Sequence, residues 1–170
     1  GARHEGARVE PVVGGVGELE LPESPFDLIW SEGALYNLGL DAAFRVCHKL
    51  LRPRGFLVFT DAVWRRENPP AELKKGFEAD YPTMGGVSDV LATIERSGFS
   101  IVAHFTLPDE AWWEDFYTPM LARIEELRAQ YAGNEAALAA LEELAAEPEM
   151  HRTHGDYYAY EFFVTRLGRG

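Results

Sequence analysis

An α/β domain with a mainly parallel sheet is the fold class this chain predicts, on three observations. Short apolar runs bounded by Gly or Pro alternate with stretches of helical periodicity, which is the signature of strands joined by crossover helices. A hydrophobic content of 46% over 170 residues suffices for one sizeable core. No internal repeat, low-complexity segment or linker divides the chain, so residues 1–170 read as a single domain.

The elements follow in order. Val9 to Val13 is a β-branched run ended by Gly14-Gly15, and Phe26 to Trp30 is a second run between Pro25 and Gly33; both suit buried parallel strands. From Leu40 to Leu51 the apolar residues Leu40, Ala43, Phe44, Cys47, Leu50 and Leu51 recur at helical spacing, and Arg52-Pro53-Arg54-Gly55 ends them. Phe56 to Thr60 predicts a third strand. Pro69-Pro70 opens a helix carrying Leu73 and Phe77, closed by Pro82, and Ser88 is the expected N-cap of the next helix, which ends at Gly98. Phe99 to Leu107 predicts a strand. Residues 109–150 predict a helical insertion of two helices separated by Gly133-Asn134, and Tyr157 to Leu167 a last strand.

Sixteen basic against 28 acidic residues give a net charge of −12, which argues against nucleic acid and anionic membrane surfaces as partners. Residues 109–150 hold eleven acids against Arg123 and Arg128. That face either selects a cationic substrate or simply keeps the helices solvated. One cysteine, Cys47, and the lack of an apolar run of about 20 residues predict a cytoplasmic protein. The residues from Gly1 to Arg8 lack the apolar segment of a secretory signal and read as the end of something longer.

In an open α/β sheet, ligands bind at the carboxyl ends of the strands. The turn Ser31 to Asn37 is the richest such loop, since Ser31, Glu32, Tyr36 and Asn37 bring a hydroxyl, a carboxylate, a phenol and an amide beside Gly33. Asp61 and Trp64 end the third strand, where Asp61 either faces substrate or caps the following turn. Trp112, Trp113, Phe116 and Tyr117 either wall an apolar pocket or belong to the core. The five histidines form no metal-ligand pattern, so no metal is expected. Gly14 to Gly17 reads as a turn, because Pro22 interrupts any helix after it.

The run Phe26-Asp27-Leu28-Ile29-Trp30-Ser31-Glu32-Gly33-Ala34-Leu35-Tyr36-Asn37-Leu38-Gly39 resembles the class I S-adenosylmethionine-dependent methyltransferases of the methyltransferase-11 type. Leu50-Leu51-Arg52-Pro53-Arg54-Gly55-Phe56, Tyr81-Pro82, Gly98-Phe99, Phe105-Thr106-Leu107-Pro108 and Tyr157 to Phe163 extend the resemblance over nearly the whole chain. It implies a Rossmann-like methyltransferase sheet in which the last strand is antiparallel and lies between the two before it, with the helical insertion capping a substrate pocket. It further implies S-adenosylmethionine as cofactor, with Gly15, Val16, Ser31, Glu32 and Gly33 beside it, and Tyr36, Asn37, Asp61, Trp64 and Trp112 facing a small-molecule substrate.

On this mapping Val9 to Val13 is the family's third strand, so the two strands, glycine loop and ribose-binding acid of its amino-terminal part are expected before Gly1. The sheet is then truncated and its cofactor site incomplete. The family's Gly-Asp after that strand is Gly14-Gly15 here, which removes one adenine contact. Two functions follow as expectations: methyl transfer to a small molecule, impaired in this form, or a non-catalytic module for dimerisation or ligand sequestration. An uncovered strand edge and apolar face predict a homo-oligomer.

Overall fold

The computed structural model describes residues 26–168. The expected strand at Val9 to Val13, and Gly15 and Val16 of the expected cofactor contacts, lie outside the described residues. The four strands are β1 (Phe26–Ser31), β2 (Leu51–Trp64), β3 (Phe99–Thr106) and β4 (Tyr158–Leu167), in the sheet order β1-β2-β4-β3. β1 and β2 pair in parallel, and β4 runs antiparallel to both of its neighbours, β2 and β3. Three strands therefore point one way and the last, inserted between the two before it, points the other. This is the arrangement the resemblance implies.

One face of the sheet is covered by α1 (Leu40–Leu50) and α3 (Val87–Arg96). Ala43, Phe44 and Cys47 recur on one side of α1, Val90 and Ile94 on one side of α3, and these buried side chains meet Leu57, Phe59, Val63, Phe163 and Leu167 from the strands. Spacing of three and four residues in the helices and two in the strands is what lets the two layers close. Phe59 and Phe163 stack with centroids 5.0 Å apart, and Phe44 meets Phe59 edge-on at 5.5 Å. Cys47 is buried within this core, and burial pushes its thiol up to about 11, so it is no nucleophile.

Two glycines hold conformations that other residues resist. Gly39 (φ 73°) precedes α1, and Gly98 (φ 82°) turns the chain from α3 into β3. The expected cap at Ser88 is displaced by two residues. α3 starts after Gly86, whose N–H donates to Asp89 Oδ2 at 2.8 Å, because a carboxylate reaching back from the first turn satisfies a free donor there. β2 begins earlier than Phe56, at Leu51, with an irregular register against β1 and Arg54 at φ 68°.

The remaining helices are α2 (Ala71–Asp80), α4 (Asp109–Trp112), α5 (Thr118–Gln130) and α6 (Glu135–His154). Between α4 and α5, Trp113–Tyr117 forms a widened π turn. Pro119 accounts for it: its nitrogen cannot donate to the carbonyl four residues back, so the preceding turn expands. The second helix of the insertion runs to His154, past the expected end at 150, with Pro148 buried inside it.

Candidate active site

At the carboxyl ends of β1 and β2 a cleft of about 790 Å3 opens, walled by Glu32, Gly33 and Tyr36 after β1, by α2 and Tyr81, by β4, and by the Trp112 to Tyr117 segment. Five tyrosines line it: Tyr36, Tyr81, Tyr117, Tyr158 and Tyr160. Alternation along β4 puts Tyr158, Tyr160 and Phe162 on the same side of the strand, towards the cleft. Trp112 lies parallel to Tyr160 with centroids 5.0 Å apart, and Tyr36 sits 5.1 Å from Tyr81. Carboxylates come from Glu32, Asp80 and Glu147, and among the described residues no Lys, Arg or His lines the cleft. Such a wall is negative and rich in π faces, which suits a cation.

The turn after β1 is fixed to β2. Gly33, at φ 56°, donates its N–H to Thr60 Oγ1 at 2.9 Å, and Glu32 Oε1 accepts from Trp30 Nε1 at 2.6 Å. A Cβ on Gly33 would meet the Tyr160 hydroxyl at 3.5 Å, an ordinary contact, so it is the left-handed backbone that calls for glycine here. Burial is the leading cause that raises the hydroxyl pKa of Tyr81, Tyr117, Tyr158 and Tyr160. Neighbouring acids add to it, Asp61 for Tyr81 and Glu147 for Tyr117 and Tyr158. These phenols stay protonated at neutral pH, and those of Tyr81 and Tyr117 donate to Asp61 and Glu147.

Two polar groups stand behind the cleft wall. Asp61, only 1% exposed, accepts from the Tyr81 hydroxyl through Oδ2 at 2.8 Å, while its buried Oδ1 has no hydrogen-bond partner among the described residues. Burial pushes the Asp61 carboxyl up to about 6. Across the β2–β4 ladder it faces Glu161, also buried, which accepts from Thr106 Oγ1 at 2.7 Å and pairs with His104 Nδ1 at 2.5 Å. The second group is His151 on α6, buried among Trp112, Trp113, Tyr117 and Tyr158. Its Nδ1 lies 2.9 Å from the Tyr158 hydroxyl and its Nε2 2.8 Å from Asp109 Oδ1.

The residues singled out in the sequence divide accordingly. Glu32, Gly33, Tyr36 and Trp112 line the cleft; Ser31 ends β1 just before it. Asn37 lies outside the lining, its amide donating to the Ala34 carbonyl. Asp61 stands behind Tyr81 and does not cap the following turn, and Trp64 packs on Phe77 at 5.3 Å beside the cluster of Leu73, Tyr81, Met84 and Tyr158. Sequence reasoning missed Tyr81, Tyr158, Tyr160 and His151. The alternation of Tyr158, Tyr160 and Phe162 was a usable signal for two of them.

This sheet order, with a cleft at the carboxyl ends of its parallel strands, defines a class I methyltransferase fold. Within that class, residues 1–59 match the family model described as "Methyltransferase domain". The chain thus has the fold of the class I S-adenosylmethionine-dependent methyltransferases, and its residues 1–59 are similar to that family model. It is similar to phosphoethanolamine N-methyltransferase of Plasmodium falciparum (isolate 3D7), at 32% identity over 94 residues, 53% of this chain and 35% of the relative.

Among solved structures, it superposes on an S-adenosylmethionine-dependent methyltransferase from Geobacter sulfurreducens in complex with S-adenosyl-L-homocysteine. The TM-score is 0.74 and the identity 17%, over 90% of this chain and 62% of that one. It also superposes on Haemonchus contortus phosphoethanolamine N-methyltransferase 2 in complex with S-adenosyl-L-methionine, with a TM-score of 0.71 and 14% identity, over 91% and 36%. The chain spans about a third of the curated relative and under two thirds of the Geobacter structure.

Proposed function

We propose that this chain takes part in S-adenosylmethionine-dependent methyl transfer to a small-molecule amine. The observation that carries the reading is the cleft itself: aromatic, acidic and without a cationic side chain among the described lining residues, at the strand ends where an α/β sheet binds its ligands. The names of the similar proteins, N-methyltransferases of phosphoethanolamine among them, support the same reading.

The described residues fit the positively charged end of the cofactor. The Ser31-Glu32-Gly33 turn offers a carboxylate and a backbone without a side chain, and the Tyr36 and Trp112 rings offer π faces. When bound, the cofactor supplies an electrophilic methyl group whose sulfur leaves with the bonding electron pair. The chain's own part is then to orient the acceptor, exclude water and take up a proton. Tyr36, Tyr160 and Trp112 hold the amine by their faces, while Glu32, Asp80 and Glu147 set a negative potential that draws it in.

Further proposals accompany this one. Leu28 and Trp30 on β1 and Val102 and Phe105 on β3 are exposed, which supports a homo-oligomer that covers them. The net charge of −12 argues against nucleic acid as a partner, and a single unpaired cysteine is consistent with the cytoplasm. No helix among the described residues is long and apolar enough to cross a membrane.

Titration calorimetry with S-adenosylmethionine tests the reading. Saturable heat at micromolar concentration is expected; a folded chain that gives none favours the alternative, a non-catalytic module derived from the same fold. Light scattering tests self-association, and a monomer at micromolar concentration overturns it.

A further inference from the structure

We propose that Asp109, His151 and Tyr158 form a proton relay that takes the proton from the amine acceptor, with Tyr158 as the group that touches it. The inference rests on the methyl-transfer reading above and adds the proton's destination.

The relay follows from hydrogen-bond chemistry. A carboxylate can only accept, so the Asp109 contact at 2.8 Å requires a hydrogen on His151 Nε2, and a neutral imidazole then has Nδ1 free to accept. The Tyr158 hydroxyl, 2.9 Å away, donates to it. A carboxylate fixes the imidazole tautomer, and the imidazole aims at a hydroxyl in the cleft wall. The same three roles, on other residues, activate a serine in hydrolases. The groups facing His151 are Asp109 from α4, Tyr117 from the π turn and Tyr158 from β4, with Glu147 one turn earlier on its own helix reached through Tyr117. Arg152 is turned away onto the Trp113 ring.

The cleft gives the relay a reason. Its acids favour the protonated, cationic amine, which cannot attack until a proton leaves and frees the lone pair. The N–H proton passes to Tyr158 Oη while the Tyr158 proton moves to His151 Nδ1. The nitrogen keeps the electron pair that forms the new bond to carbon, and the imidazolium is stabilised by Asp109. His151 keeps its Nε2–H on Asp109 throughout; once the product leaves, the Nδ1 proton returns to Tyr158 Oη while the Tyr158 proton passes to water in the cleft, which restores the starting tautomer. Tyr158 never carries a full charge, in keeping with a phenol whose burial opposes ionisation.

Two measurements test this. In protein labelled with 15N-histidine, His151 is expected as the Nε2–H tautomer, and an Nδ1–H tautomer overturns the relay whether or not methyl transfer occurs. In steady-state assays with an amine series and labelled S-adenosylmethionine, Tyr158→Phe should lower kcat about 10²- to 10⁴-fold with the acceptor KM little changed. Asp109→Asn, at an exposed position that leaves the core intact, should lower kcat with the acceptor KM little changed. Wild-type turnover with both variants unimpaired overturns the relay alone. No turnover by wild type with any amine overturns the methyl-transfer reading and the relay together.

Discussion

The two halves of β4 and its neighbour β2 share one unbroken ladder and differ in almost everything else. Towards one end, Leu57, Phe59, Phe163 and Leu167 are buried against α1 and α3 in a mostly apolar layer, in which the buried Thr165 hydroxyl donates to the Leu57 carbonyl. Towards the other, the same face of the same strands carries Asp61 and Glu161, and the opposite face carries Tyr158 and Tyr160. The apolar half needs only shape and burial to be stable. The polar half retains a carboxylate oxygen without a partner among the described residues and a second buried acid, arrangements that lower stability and are concentrated at functional sites. One half holds the fold, and the other borders the cleft.

Phe59→Ala in the apolar half and Asp61→Asn in the polar half should differ in sign. Phe59→Ala, which empties the centre of the apolar layer, should cost about 3 to 5 kcal/mol in urea unfolding. A cost below about 1 kcal/mol would mean that this layer is not what holds the sheet.

Asp61→Asn should act the other way. The folded-state pKa of about 6 lies above the ordinary 3.8, so the native protein binds the extra proton between those values. Wild-type stability is therefore greatest, as far as this group decides it, below pH 4, and falls as pH rises to 6. Above pH 6 the ionised carboxylate costs about 3 kcal/mol, the equivalent of a shift of roughly two units. Asp61→Asn should unfold at higher temperature than wild type at pH 7.5, with the gap closing towards pH 4. Equal gaps at both pH values would sink the assignment. Smallest, Thr106→Val removes one of the two partners of Glu161 and should cost about 1 kcal/mol, read from the same unfolding curves.

How much of this was written in the chain depends on sequence distance. The α1 helix was legible because Ala43, Phe44 and Cys47 fall on one side within two turns, and the strand order followed once Phe26 to Gly39 had suggested the fold. Of the residues singled out by loop position and resemblance, Tyr36 and Trp112 line the cleft and Asn37 and Trp64 do not, because a position just beyond a strand says that a residue is near the cleft, not which way its side chain points. The His151 relay was out of reach, since it joins residues 42 apart across a π turn that Pro119 imposes. No local pattern encodes that meeting.

The most direct test of the account is transfer of labelled methyl from S-adenosylmethionine, measured on the full chain with matched acceptors that differ only in charge. An aromatic, acidic cleft predicts incorporation into a cationic amine and none into its carboxylate counterpart. Preferential methylation of the anionic acceptor would contradict the reading of the cleft on which the whole account stands.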